Sequence, residues 1–246
     1  MNRSKLTLVA YAPPLEVGDD RPSALLEAFE KLFPEDRMNY TVSTEGVPLA
    51  IQNREAFLQS GALRGEIPLI SNGVEDRHVS VFGHAIPAVL TPGGAPLLHI
   101  AIVLPETIEY VLKANQLLLR ACERMRAYWG VGSPNETAAK ITEQTVFPGI
   151  PIQPPLGLPA LLPPQQMASP ILPQRFGWLN YWSAEAASAL EFPNDSNDAA
   201  WFAEARRGAD GGWILKLTDS PLDLTIPEHL ERLKKAYARF PTIGRR

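Results

Sequence analysis

Cysteine is almost missing from this 246-residue chain, in which Cys122 stands alone. A single thiol excludes a disulfide framework and any zinc site built from several thiolates. Long apolar runs are missing as well. The longest, Leu97–Leu104, contains His99 and falls far short of the roughly 18 residues a membrane span needs. It reads as a buried strand. Met1–Lys5 is polar, and Leu6–Ala12 is short and runs into Pro13-Pro14 rather than a small-residue cleavage site, so no secretory signal is expected. A cytoplasmic location follows as the expectation. Neither sign of charge dominates: 23 Lys and Arg face 27 Asp and Glu, a net charge of −4. Such a balance carries no basic footprint for direct nucleic-acid binding.

The familiar catalytic signatures are missing too. No G-x-S-x-G elbow, phosphate-binding glycine loop or H-E-x-x-H helix occurs. His78 and His84, six residues apart, would share a face if one strand ran through both, with His99 on a neighbouring strand. No Asp or Glu lies at matching spacing, so these are expected to be structural histidines and no metal is expected. Cys122 sits among Leu118, Leu119 and Met125 on an apolar helical stripe, the setting of a buried small hydrophobe rather than a nucleophile. Gly18-Asp19-Asp20 follows the first strand, where many sheet enzymes place metal-binding acids. The preferred expectation is that Asp20 caps the next helix and Asp19 is solvated. A metal-dependent hydrolase using Asp19 and Asp20, or a non-enzymatic scaffold, are the alternatives. The main expectation is a protein with no catalytic residues, no metal and no cofactor.

What the chain does contain is a normal globular composition, 45% hydrophobic and 20% charged. A chain of this length buries roughly 70% of its unfolded surface. Leu6–Tyr11 is rich in β-favouring residues; Leu25, Leu26, Phe29, Leu32 and Phe33 then recur at helical spacing until Pro34. Met38–Ser43, Ile67–Ser71, His78–Gly83 and Leu97–Leu104 read as strands, with a short helix over Asn53–Ser60. Successive strands without intervening long helices predict an antiparallel sheet. A long helix is predicted over Pro105–Trp129, its stripe formed by Ile108, Val111, Leu112, Leu118, Leu119, Cys122, Met125 and Trp129. Ser133-Pro134-Asn135-Glu136 reads as a capping box opening a further short helix.

From Gln144 to Gln174 no residue is charged, and nine of the 24 prolines fall between Pro148 and Pro173. Proline at this density forbids helix. Ile150, Ile152, Leu156, Leu158, Leu161, Leu162, Ile171 and Leu172 are too apolar for a solvated linker, so the segment predicts an arm laid across the body. Beyond it, Phe176–Trp182 reads as a strand, Ser183 as the cap of helix Ala184–Leu190, Gly212–Leu217 as a strand, and Thr225-Ile226-Pro227-Glu228 as a capping box before the final helix. The expected class is therefore α+β: an amino-terminal lobe (1–143) with a mainly antiparallel sheet backed by a long helix, the proline-rich arm (144–174), and a smaller α+β lobe (175–246).

Specific text recurs through the carboxy-terminal third: Arg175–Ser183 (RFGWLNYWS), Leu190-Glu-Phe-Pro193, Leu217–Asp223, Pro227–Leu230 and Ala236–Gly244. With Tyr11-Ala-Pro13, Gly18-Asp-Asp20, Glu143–Gly149 and Gly157–Leu161, the chain resembles a bacterial family of full-length proteins. The Gly177-Trp178-Leu179-x-Tyr181-x-Ser183 signature also resembles immunity proteins encoded beside polymorphic toxins with a restriction-endonuclease-like nuclease domain. That resemblance implies a cytoplasmic inhibitor of a toxin delivered by type VI secretion, with the toxin as its protein partner and no membrane contact. A nuclease exposes a basic, phosphate-binding surface, so acidic loops are the natural contact residues. Glu16, Asp19, Asp20, Glu75 and Asp76 are the candidates, helped by Asp195 and Asp198. If the strands they follow ran the same way, they would form one acidic face. Trp178, Tyr181 and Trp182 are the candidate aromatic anchors.

Overall fold

Along the first strand, β1 (Lys5–Ala12), Leu6, Leu8, Ala10 and Ala12 are buried in the main core, while Thr7, Val9 and Tyr11 alternate onto the other face. The computed structural model describes residues 4–147, 153–194 and 196–245. β1 is central, pairing on one side with β6 (Leu97–Pro105) and on the other with β7 (Trp129–Pro134). The remaining strands are β2 (Tyr40–Val42), β3 (Pro48–Ala50), β4 (Ile67–Ser71), β5 (Ser80–Ile86), β8 (Leu179–Trp182), β9 (Glu204–Arg207) and β10 (Trp213–Lys216). They form one ten-stranded sheet in the order β3-β2-β4-β5-β6-β1-β7-β8-β10-β9. Every pairing is antiparallel. The carboxy-terminal segment thus adds three strands to the sheet that the amino-terminal segment begins.

One face of the sheet is covered by α1 (Arg21–Leu32) and α3 (Ile108–Met125), whose Leu117, Leu118, Cys122 and Met125 are fully buried. Burial raises the Cys122 thiol well above its ordinary value, so it stays a neutral hydrophobe. The close approach of α3 requires glycine opposite it. A methyl at Gly130 would lie 2.8 Å from Cys122 Sγ and 2.9 Å from the Val9 carbonyl. α2 (Arg54–Ala62), capped by the Asn53 side chain on the Ala56 N–H, stands beside β4. Near the carboxy-terminal strands α4 (Asn135–Thr142), α5 (Ala184–Ala189), α6 (Ser196–Ala200) and α7 (Pro227–Arg239) complete the fold. Ser183 caps α5 through Ala186 N–H, as its position predicts.

Several boundaries differ from the sequence pattern: the long helix starts at Ile108, Pro105 ending β6, and three further differences have a visible cause. The long helix stops at Met125, because Arg126 adopts a left-handed conformation and its N–H bonds back to Cys122 and Glu123. Trp129 therefore belongs to a strand, drawn into the free side of β1. The capping box at Ser133 does not form, since Ser133 Oγ accepts the distant Trp178 N–H at 2.9 Å. At Thr225, likewise, the hydroxyl bonds Asp223 and leaves Ile226 as an uncapped start of α7.

The charge-free arm is laid on the body. Leu158, Leu161 and Met167 are buried. Backbone bonds tie it to the body at Leu162 N–H to Gly244 O and Gly93 N–H to Met167 O, and Leu161 N–H to Gln144 O closes it on its own start. Few donors are needed for this, which suits a proline-rich segment. Ile150 and Ile152 lie outside the described residues.

Candidate interaction site

The two acidic loops leave strands that run in opposite directions. Between β4 and β1 stand β5 and β6, three antiparallel steps in all. Glu16, Asp19 and Asp20 therefore emerge at one end of the sheet and Glu75 and Asp76 at the other. The single acidic face expected from the sequence does not form.

Within the first loop, Asp19 is not a solvated acid. Its carboxylate receives Arg21 Nε and Nη2, Arg21 N–H and Glu16 N–H, and its side chain is only 9% exposed. Burial raises its pKa, yet the Arg21 and Glu16 hydrogen bonds and the guanidinium charge outweigh that and hold the carboxyl below its ordinary range. Arg21 also donates to the carbonyls of Pro13, Pro14 and Met125, pinning the loop to the end of α3. Asp20 has helical dihedrals and makes no side-chain cap. It is left exposed with Glu16 and Val17.

The second loop is anchored the same way. Asp36 is 2% exposed and receives Tyr110 Oη, Asn72 Nδ2 and the Arg77 guanidinium. Burial, followed by the bond to Asp36 and its charge, pushes the Tyr110 hydroxyl above its ordinary pKa. Asn72 Oδ1 accepts Val74 and Val79 N–H, closing the base of the loop. Val74, Glu75 and Asp76 are exposed at its tip. Asp198 is taken up by Arg239 at 2.6 Å, and Asp195 lies outside the described residues.

The aromatic candidates are core. Trp178, Tyr181 and Trp182 are 2%, 0% and 1% exposed. Trp178 Nε1 donates to Thr218 O, and Tyr181 Oη donates to Asp210. Trp182 meets Phe240, Phe192 and Phe202 edge-on. Trp182 thus packs the sheet against Phe240 at the end of α7, and all three side chains are buried in the core.

Histidine chemistry is arranged differently from the sequence spacing. His78 precedes β5, whereas His84 stands directly opposite His99 across β5 and β6, ring centroids 4.8 Å apart. At the other end of the chain, His229 Nδ1 accepts Asp223 N–H at 3.1 Å. The proton then resides on Nε2, 3.4 Å from Ser220 Oγ, so the ring donates toward that serine and is not set to activate it. Among the described residues no group of three or more His, Cys, Asp or Glu is placed to hold a metal ion.

The family described as a domain of unknown function, DUF5953, matches residues 17–246. The chain belongs to the DUF5953 family. Its fold is similar to that of the Pseudomonas aeruginosa T6SS protein PA0821, with a TM-score of 0.58, 13% identity, and 98% of this chain and 73% of that chain covered. At that identity the likeness is one of fold. No curated protein sequence matches.

In this DUF5953 chain, then, two short acidic tips are presented at opposite ends of one sheet. Each carries two exposed acids beside an exposed valine, Val17 with Glu16 and Asp20, Val74 with Glu75 and Asp76. Each is fastened below by a buried aspartate paired with arginine. No described helix is long and apolar enough to cross a membrane. The sequence pointed to the acids of both tips; Arg21 lies only two residues from Asp19, whereas Asp36 finds Tyr110 74 residues away and Arg21 finds the Met125 carbonyl 104 residues away.

Proposed function

We propose that this chain is an immunity protein that binds and neutralises a cognate type VI secreted toxin, a nuclease, in the cytoplasm of the producing bacterium. The carrying observation is the likeness of fold over 98% of the chain to a T6SS protein. The resemblance of the Gly177–Ser183 signature to immunity proteins points the same way. Its aromatics act within the core, so contact falls to the acidic tips. A tip already fixed by Arg21–Asp19 or Arg77–Asp36 loses little freedom on docking. Glu and Asp there suit the basic surface with which a nuclease holds phosphates, and raise the rate of encounter.

Co-expression tests this reading. On this reading a secreted nuclease is encoded beside this gene; produced alone it should arrest growth, and this protein should restore growth and co-purify with it. Persistent arrest with both proteins made, and no complex between them, would overturn the proposal.

A further inference from the structure

We propose that His84 and His99 form a two-imidazole site for a borderline divalent metal ion, Cu2+, Ni2+ or Zn2+, on the sheet face opposite α1 and α3. The register sets the two residues as direct cross-strand partners, so their side chains leave the same face together. Their ring centroids are 4.8 Å apart and the planes inclined by 43°. With a metal–nitrogen bond of about 2.1 Å, the ion sits roughly 3.2 Å from each centroid. Two rings bound at a right angle then have centroids about 4.5 Å apart, and at the tetrahedral angle about 5.2 Å. The observed spacing lies between these limits, before any adjustment of the side chains.

Both rings are available. Nδ1 of His99 is buried with no hydrogen-bond partner among the described residues, and no described group hydrogen-bonds His84. Metal binding requires the neutral imidazole. The Tyr11 ring meets His99 edge-on at 5.3 Å and itself stacks on Trp129 at 4.2 Å, which fixes the His99 ring from behind. In register these four residues cross four adjacent strands, His84, His99, Tyr11 and Trp129, and the row ends in solvent at His84. Two protein ligands leave coordination positions for water. Arg175 opposes a cation here, so affinity in the micromolar range is expected rather than tighter. Imidazole nitrogen favours Cu2+, Ni2+ and Zn2+ over Mg2+ or Ca2+, with Cu2+ binding most strongly.

Calorimetric titration of the tag-free, chelator-treated full chain at pH 7.5 with CuCl2, NiCl2, ZnCl2 and MgCl2 tests the site. One equivalent of Cu2+ should bind, more tightly than Ni2+ or Zn2+, with no heat from Mg2+. His84→Ala, at an exposed position that leaves the core intact, should weaken Cu2+ binding at least tenfold, as should His99→Gln. His78→Ala and His229→Ala should leave it unchanged. If His99→Gln does not fold, the electron paramagnetic resonance spectrum of the Cu2+-loaded wild type decides, since it should show two equatorial nitrogens, and fewer in His84→Ala. No binding by the wild type, or equal affinity in His84→Ala, would overturn the proposal.

Discussion

Arg21 grips Asp19 through both carboxylate oxygens, and the same guanidinium reaches the Met125 carbonyl at the end of α3. One side chain thus joins the first acidic loop, the start of α1 and the end of α3. Replacing it removes the guanidinium from a largely buried carboxylate, which keeps only the backbone N–H donors of residues 16 and 21, and takes a donor from the Pro13, Pro14 and Met125 carbonyls. Arg21→Ala should lower unfolding free energy by about 3–5 kcal/mol, the usual cost of breaking a buried pair from one side. Urea denaturation checks this. The Asp19 pKa is depressed, so its contribution is present above an unfolded pKa near 3.8 and fades as pH falls through the folded value. Above pH 5 the deficit of Arg21→Ala should therefore be constant.

Gly130 is required by contact rather than by backbone angle. Gly130→Ala places a methyl 2.8 Å from Cys122 Sγ, 2.9 Å from Val9 O and 3.2 Å from Leu118 Cδ1. Neither the strand nor the long helix can give way cheaply. The expected cost is about 1–3 kcal/mol, seen as a lowered thermal midpoint. An unchanged midpoint would show that α3 can move off the sheet.

The opposite placement of the acidic tips makes a sharp statement about docking. A partner of ordinary size that seats on one end of the sheet leaves the other in solvent. Glu16→Lys with Asp20→Lys, and separately Glu75→Lys with Asp76→Lys, should have unequal effects on association with the toxin. One pair should slow it and weaken its dependence on salt, and the other should leave it nearly unaltered. Stopped-flow association rates measure this. Equal slowing by both pairs would mean a partner that spans the sheet, and no slowing by either would remove the tips as contacts.

Local pattern disclosed those parts of the fold that are locally determined. The predicted stripe gives α3 through Leu118, Leu119, Cys122 and Met125, although its Ile108 and Leu112 are exposed; the run Ile67–Leu104 gives consecutive antiparallel strands, and the charge-free prolines give an arm on the body. Trp129–Pro134 escaped because Gly130 looks like a helix stop and Ser133 like a cap. Both serve distant partners, the face of α3 and the Trp178 N–H. Asp19 differs, because its partners Arg21 and Glu16 are only two and three residues away, and what hides the pair is the docking of Arg21 on the Met125 carbonyl at the end of α3. His84 and His99 are fifteen positions apart, and only the register of β5 on β6 brings them face to face.

Burial of His99, and then its pairing with His84, also gives stability a dependence on pH. His99 binds a proton near pH 6.5 when unfolded and only at about pH 4 when folded. Between those values the unfolded state holds more protons, so acidification favours unfolding. Stability should be flat with respect to this group above pH 7, fall by at most about 1.4 kcal/mol per pH unit between pH 6.5 and 4, and level off below. The window lies above that of Asp19, which titrates below 3.8, so the two are separable. His99→Gln should flatten the fall from pH 7 to pH 5 in metal-free buffer. His84→Ala should make it shallower, because the interaction with His84 is one of the causes that lower the His99 pKa. Urea midpoints at pH 7, 6 and 5 for the three proteins test this. Equal slopes in wild type and His99→Gln would assign the acid sensitivity to another group.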